Sequence, residues 1–207
     1  EFTFRAFVNG KLDLAQAEAV NDVISAGSDL ALRIAEKQLD GVLSRRLEAA
    51  YDELNALRAE CESHLDFPDE ELAWEPDVPA RLEALTAQLR ELYDTRDIGG
   101  ALRDGVSVVL VPERALPELP CPAVRISART GAGLDELREA FAVMVAKSPR
   151  PAVPEVAVNA RAARLLAEAL ELLPEATARF REEEYELAAI GIRTAMNRVG
   201  EITGKTV

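Results

Sequence analysis

The side chains with the greatest potential for chemistry are few and scattered along the chain. His64 is the sole histidine and the cysteines are Cys61 and Cys121, so no Cys/His cluster with zinc-ligand spacing is present. We expect His64, near the end of a predicted helix, to interact with the helix dipole. Cys61 falls on an apolar helical stripe and is predicted to be a core residue. The acidic run from Asp66 to Glu71 is interpreted as a solvated loop and not as a cation site.

Phosphate-binding loops have a specific spacing that the chain does not reproduce. A P-loop follows the pattern GxxxxGK[ST], in which backbone N–H groups surround the phosphates and the lysine reaches them. The nearest match runs from Gly200 to Thr206, but only three residues separate its glycines and it follows a predicted helix. We therefore predict no P-loop there. The DxxG match from Asp97 to Gly100 is interpreted as chance, because it precedes the first predicted strand.

The turn Ser127-Ala128-Arg129 is the more informative candidate. It follows a predicted strand and precedes a predicted helix, which is where α/β sheets bind ligands. In GTPases, a Ser-Ala-(Lys or Arg) turn at a strand end places backbone N–H groups against the guanine carbonyl. Within the longer sequence ISARTGAGLDEL, this turn therefore predicts the guanine side of a nucleotide site.

The composition limits the classes of protein that are possible. The 207 residues include 24 Lys plus Arg and 37 Asp plus Glu, a net charge of −13, and 48% are hydrophobic. These values are typical of a globular chain with a sizeable core, and two cysteines favour a reducing, cytosolic setting. No apolar run approaches the roughly 20 residues of a membrane span. The acidity argues against a broad nucleic-acid surface on this segment, which would need clustered Lys and Arg.

Most of the chain has the apolar periodicity of amphipathic helices. The pattern predicts a helix from Asp13 to Ala26 and a single helix of about 35 residues from an N-cap at Ser28 to near Leu65. A further helix, with Leu82, Leu85, Leu89 and Leu92 in its apolar stripe, is predicted to end near Gly99 and Gly100. Others are predicted from Leu134 to about Ala146 and, after a proline-rich linker at 148–154, over about 157–180 and 182–199. Pro174 is expected to kink or end the first of the last two.

Two β-branched runs interrupt this helical pattern, at 106–111 and at Ala123–Ser127, and predict two strands. With the helix that follows them they form a short α/β unit, too small to be an independent domain. The predicted fold class is mainly α: a helical bundle formed from both ends of the chain, with an inserted α/β fragment. The predicted divisions are 1–104 and 148–207 for the helical domain and 105–147 for the fragment.

Several blocks of the sequence resemble one family, the bacterial tRNA modification GTPase MnmE, also called TrmE. The start of its helical domain is matched almost word for word by EFTFRAFVNGKLDLAQAEAVNDVI, residues 1–24. The family pattern also resembles LDFPDEE at 65–71, LRDGVSVVLV at the start of its G domain, and ISARTGAGLDELREAF at the end of that domain. Its closing helices resemble NARAARLLAEAL and MNRVGEITG, so the resemblance covers nearly the whole chain.

The resemblance implies a function. It implies a cytoplasmic protein that binds and hydrolyses GTP with Mg²⁺ and K⁺. With a flavin-containing partner, MnmG (GidA), it would add an aminomethyl-type group to carbon 5 of the wobble uridine of tRNA, with 5-formyltetrahydrofolate supplying the one-carbon unit. It also implies a homodimer, a heterotetramer with the partner, and a P-loop GTPase-like character for the α/β fragment.

The resemblance assigns roles to few residues. It implies that Lys11, in VNGKLDL, contacts the folate, and that Ser127, Ala128 and Arg129 lie on the guanine side of the GTP site. The residues alone favour the interpretation that Lys11 is a surface lysine on an Asn-Gly turn, and only the resemblance points to the folate. No catalytic residue and no metal ligand is predicted.

The sequence departs from the family pattern in three places. We find no folate-binding domain before Glu1, no P-loop or NKxD sequence after the first predicted strand, and no cysteine-containing tail after Val207. We therefore expect these residues not to hydrolyse GTP by themselves. Two interpretations stay open: part of a tRNA-modifying GTPase whose G domain is absent from this sequence, or a non-enzymatic helical scaffold from which that domain has been deleted.

Overall fold

The computed structural model describes residues 1–66, 78–104, 123–146 and 154–205. These ranges contain nine helices and no β-strand. The helices are α1 (Phe2–Val8), α2 (Leu14–Ser25), α3 (Asp29–Leu39), α4 (Val42–Asp66), α5 (Val78–Asp94), α6 (Arg96–Asp104), α7 (Leu134–Ala146), α8 (Ala160–Arg181) and α9 (Tyr185–Thr203). None of the helices in these ranges is long and apolar enough to cross a membrane.

Four of the helices form the core of a bundle. In this bundle α8 packs against α9 and α5, and α9 also packs against α4. Where α8 and α9 pack together, a Cβ atom added at Gly191 would lie 3.1 Å from the Cβ of Ala176. Large apolar side chains that are under 2% exposed fill the interior of the bundle: Leu43, Leu47, Leu54, Leu57, Leu82, Leu89, Leu165, Leu166, Leu173, Ile192 and Ile202. The prediction of a mainly α bundle built from both ends of the chain is confirmed.

The single long helix predicted from Ser28 to near Leu65 is wrong, because the chain forms two helices there. Ser28 is the N-cap as predicted, and its Oγ accepts the N–H of Ala31 at 3.2 Å. The first helix then ends at Leu39, and Gly41 adopts a left-handed conformation with φ of +79°. The Leu39 carbonyl accepts a hydrogen bond from Gln16 Nε2 at 2.9 Å. Apolar periodicity continues across Gly41, so it could not reveal this break.

Other helix boundaries agree with the sequence in part. The helices predicted at 13–26 and at Leu134–Ala146 are confirmed. The predicted end near Gly99 is wrong, since α5 ends at Asp94 and α6 runs through this glycine. Pro174 does not end α8, which continues to Arg181. This proline is exposed, while Leu173 and Thr177 beside it are buried, so packing of the inner face holds the helix through a local break in its hydrogen bonding.

The α/β fragment is not shown by the structure. Residues Ala123–Ser127, predicted to be a strand, lie outside any helix or strand. A strand needs a hydrogen-bonded neighbour, and the predicted partner at 106–111 lies outside the described residues. The acidic run at 67–71, Cys121, most of the linker at 148–154 and the junction between the first strand and the proline-rich segment also lie outside them.

Candidate functional site

The predicted folate contact, Lys11, lies in a short turn between two capped helix ends. We call residues 9–13 the Lys11 turn. The end of α1 has both bonds of a Schellman motif: Lys11 N–H donates to Ala6 O at 2.8 Å and Gly10 N–H to Phe7 O at 2.9 Å. Gly10 takes the left-handed conformation that this motif requires, with φ of +66°.

The other side of the Lys11 turn is the capped start of α2. Asp13 and Gln16 form a capping box, in which Gln16 N–H donates to Asp13 Oδ1 at 2.8 Å and Asp13 N–H donates to Gln16 Oε1 at 3.0 Å. The amide of the same glutamine reaches the end of α3. Backbone hydrogen bonds at the end of α1 and the capping box at the start of α2 therefore hold the Lys11 turn at both ends.

The Lys11 side chain is available to bind an anion. It is exposed and forms no ion pair with any described residue. An ammonium group forms charge-assisted hydrogen bonds with carboxylates. Lys11 also follows the negative end of α1, so it stabilises that helix end whether or not a ligand is present. The geometry fits both interpretations that the sequence left open.

The end of α9 packs beside the Lys11 turn. A Cβ added at Gly204 would lie 2.9 Å from Phe7 Cε2 and Cζ and 3.3 Å from Leu14 Cβ. Gly204 has φ of +82°, and Lys205 N–H donates to Gly200 O at 2.9 Å, which is a second Schellman motif. The GxxxGK sequence is therefore a helix terminus, in agreement with the prediction that it is not a P-loop.

An arginine that the sequence analysis did not single out holds this region together. Arg161, in the first turn of α8, donates to Glu18 of α2 through Nε to Oε1 at 2.6 Å and Nη2 to Oε2 at 2.9 Å. The same guanidinium donates to the carbonyls of Glu201 and Ile202 in α9, at 3.0 and 2.9 Å. Asn159, the N-cap of α8, also donates to Glu18, at 2.7 Å. In the sequence, NARAAR indicates only that a helix begins after Asn159, and it does not indicate the partners of Arg161.

The predicted guanine-side turn is a compact loop before α7. Ser127 N–H donates to Ala132 O at 2.9 Å, Gly131 N–H donates to Ser127 O at 2.8 Å, and Thr130 N–H donates to Ser127 Oγ at 3.3 Å. A Cβ at Gly133 would lie 2.0 Å from the carbonyl oxygen of Arg125, so no other residue fits this backbone. These contacts close the loop at its base.

The tip of this loop presents two backbone donors. The N–H groups of Ala128 and Arg129 make no hydrogen bond with any described residue, and both residues are exposed. Two adjacent free donors can bind a carbonyl oxygen of a ligand. The loop is followed by α7, which packs against α6, whereas the Lys11 turn packs beside α2 and α9. The predicted site residues therefore form two separate candidate sites.

The other two residues that the sequence analysis singled out, His64 and Cys61, pack against other side chains of the bundle. His64 lies in the last turn of α4, as expected, and its ring stacks on that of Tyr185 with centroids 4.7 Å apart and meets Phe180 edge-on at 5.7 Å. Cys61 is fully buried in the core, and burial raises the pKa of its thiol to about 12. No group of three or more His, Cys, Asp or Glu side chains within the described part of the chain is arranged to hold a metal ion.

Comparison with known families gives one match that covers most of the chain. The model of the family described as the MnmE helical domain matches residues 14–207. This match begins just after the Lys11 turn and includes α2 to α9.

Curated relatives give a consistent result over a shorter region. The chain is 46% identical over 112 residues to a tRNA modification GTPase MnmE of Akkermansia muciniphila, covering 53% of this chain and 25% of the relative. It is 50% identical over 113 residues to a protein of the same name from Chromobacterium violaceum, covering 54% and 25%. For that of Coxiella burnetii the values are 44% over 115 residues, 55% and 25%. The chain thus matches about a quarter of the length of each of these relatives.

Proposed function

Because the chain belongs to the MnmE helical-domain family, we propose that it is the helical part of a GTP-hydrolysing enzyme that modifies tRNA. The named relatives are tRNA modification GTPases, which supports this assignment. Residues 1–104 and 148–207 would together form the helical domain, and 105–147 would belong to the G domain.

The finer chemistry of the proposal follows the family. The enzyme adds an aminomethyl-type group to carbon 5 of the wobble uridine of tRNA. It forms a homodimer, which acts in the cytoplasm together with the flavoprotein MnmG (GidA). In this proposal, GTP hydrolysis uses Mg²⁺ and K⁺. The net charge of −13 is consistent with a helical domain that does not itself bind tRNA, so that other domains or the partner would make the tRNA contacts.

Lys11 is the proposed contact for 5-formyltetrahydrofolate. When bound, this cofactor supplies the one-carbon unit. The exposed ammonium group without a partner carboxylate among the described residues fits the carboxylates of the glutamate moiety of a folate. The contribution of Lys11 is to bind and orient the cofactor, and the two capped helix ends hold the lysine in place for this task.

Ala128 and Arg129 are the proposed donors to the guanine carbonyl, with Ser127 closing the loop beneath them. The single observation that carries this assignment is the pair of adjacent backbone N–H groups at the loop tip that have no partner among the described residues. A carbonyl acceptor distinguishes guanine from adenine, because adenine has an amino group at the same place. The loop therefore contributes base specificity and no chemical step.

A nucleotide-binding experiment tests this assignment. In the full-length protein, Ala128→Pro removes one donor and should weaken GTP binding about three- to tenfold, the value of one hydrogen bond. The affinity for the triphosphate of 2-aminopurine riboside, which lacks the carbonyl, should stay within a factor of two. Ala123→Pro, at an exposed residue outside the loop, is the matched control. Equal losses for both nucleotides would contradict the assignment.

GTP turnover separates the two interpretations left open by the sequence. The enzyme interpretation predicts K⁺-stimulated GTP hydrolysis by the protein as it occurs in its organism, together with an intact mass well above 22.5 kDa. A natural protein of 22.5 kDa without GTP turnover would instead support the non-enzymatic helical scaffold.

A further inference from the structure

We propose that the last turn of α9 positions the Lys11 turn, and that Gly204 acts as a positioning residue for Lys11 through Phe7. The inference rests on the proposed folate role of Lys11 and extends it to a residue almost 200 positions away in the sequence. It assigns the C-terminal end of α9 to the same structural unit as the candidate folate site.

The contact between α9 and α1 leaves no room for a side chain at Gly204. An added Cβ would meet Phe7 Cε2 and Cζ at 2.9 Å and Leu14 Cβ at 3.3 Å. Phe7 precedes the Lys11 turn and Leu14 follows it, so the end of α9 touches both helices that border the turn. A methyl group at Gly204 would meet the edge of the Phe7 ring and the Leu14 side chain, so the Phe7 ring must shift to admit it.

Displacement of Phe7 is transmitted to Lys11 through one hydrogen-bonded cap. The carbonyl of Phe7 accepts the N–H of Gly10, and the carbonyl of Ala6 accepts the N–H of Lys11. Phe7 thus belongs to the same helical turn that fixes the backbone of Lys11. Movement of α1 at this point changes the direction in which the lysine leaves the turn.

The last turn of α9 is less free to move than α1, because hydrogen bonds hold it to other helices. Arg161 donates to two carbonyls of that turn and to Glu18 of α2. Its guanidinium therefore joins α9 to α8 and to the helix on the far side of the Lys11 turn. With α9 and α2 held together, added volume at Gly204 acts on α1.

The experiment uses the full-length protein and 5-formyltetrahydrofolate in calorimetric titrations. Lys11→Ala should weaken binding about tenfold, the value of one charge-assisted hydrogen bond. Gly204→Ala should weaken binding about fivefold or more, and Phe7→Leu combined with Gly204→Ala should restore affinity to within about twofold of Phe7→Leu alone. Gly131→Ala is the matched control, since it has φ of +75° but its Cβ would lie no nearer than 3.9 Å to a neighbour.

Hydrogen exchange at the Lys11 amide gives a second measurement that does not depend on the ligand. Exchange should accelerate in Gly204→Ala, recover in the double variant and stay unchanged in Gly131→Ala. If Lys11→Ala leaves the folate affinity unchanged, the proposed folate role fails while exchange still tests the coupling. If Gly204→Ala changes neither affinity nor exchange, or if Phe7→Leu does not rescue it, the positioning role is overturned.

Discussion

Arg161 and Glu18 form a two-pronged ion pair that joins the start of α8 to the middle of α2, with N–O distances of 2.6 and 2.9 Å. Both side chains are about 30% exposed. The pair differs from a surface salt bridge because the guanidinium also satisfies two carbonyls at the end of α9. One planar cation therefore joins α2, near the start of the chain, to α8 and α9 near its end, beside the Lys11 turn.

We predict that Arg161→Lys lowers the free energy of unfolding by about 2 kcal/mol, because an ammonium group cannot make the same set of planar hydrogen bonds. Urea denaturation of the two proteins measures the difference. Arg164→Lys is the control on the same helix, since Arg164 pairs with Glu168 on an exposed face and should cost at most about 0.5 kcal/mol. Equal losses for the two variants would contradict the bridging role of Arg161.

Gly133→Ala should disrupt the loop that carries Ala128 and Arg129. The new Cβ would lie 2.0 Å from the carbonyl oxygen of Arg125, so the backbone must move. We expect the Ser127 amide, which is bonded to Ala132 O, to exchange with solvent at least about tenfold faster, a loss of roughly 1.4 kcal/mol of local protection. Gly131→Ala should affect this amide less, and an unchanged Ser127 exchange rate in Gly133→Ala would refute the loop geometry.

Cys61 should be unreactive in the folded protein. Burial raises its pKa to about 12, so the thiolate is scarce at pH 8 and the sulfur is inaccessible. In a Cys121→Ser background, we expect a disulfide reagent to label Cys61 only after denaturant is added. Rapid labelling of the native protein would be inconsistent with the buried position.

The raised pKa of Cys61 also makes the free energy of unfolding depend on pH in the alkaline range. The thiol has an ordinary pKa of 9.0 and a raised value of about 12 in the folded protein. Between these values the folded state retains a proton that the unfolded state has lost, so the stabilising contribution is complete below pH 9 and declines as pH rises towards 12. Cys61→Ala should remove this part of the pH dependence, as measured by denaturation at pH 8 and pH 10.

Pro174→Ala should stabilise the protein. The proline lies inside α8 on its exposed side, where it removes one backbone donor from the helix. Alanine restores the donor, and after allowance for the more flexible unfolded chain we expect a gain of about 1–2 kcal/mol. Thermal unfolding measures it against Glu175→Ala at the neighbouring exposed position. A loss of stability would show that Pro174 makes a contact that the helix requires.

Local signals in the sequence predicted the helices well where they were strong. Asp13 and Ser28 were readable as helix starts, and the apolar stripe of α4 placed Cys61 in the core. The break at Gly41 was not readable, because a left-handed glycine between two helices leaves the apolar pattern intact. Gly99 produced the opposite error, since tertiary packing keeps this glycine buried within a helix.

The sequence predicted which residues belong to the candidate sites, but it did not predict the contacts that hold those residues in place. Lys11 was indicated by the family resemblance and the Ser127 turn by its own sequence pattern as well. No pattern indicated that Phe7 meets Gly204 or that Glu18 meets Arg161. These contacts join residues more than 140 positions apart, and only the packed bundle brings them together. The predicted strand at Ala123–Ser127 could not be judged from β-branched residues alone, because a strand depends on its neighbour.

The most direct test of the central claim is the nucleoside composition of tRNA in the organism that carries this protein. Mass spectrometry of tRNA from a strain lacking the gene should show loss of the carbon-5 aminomethyl-type group from the wobble uridine, restored by the natural gene and only partly by Lys11→Ala. Wobble uridines that are modified equally with and without the gene would contradict the assignment to tRNA modification.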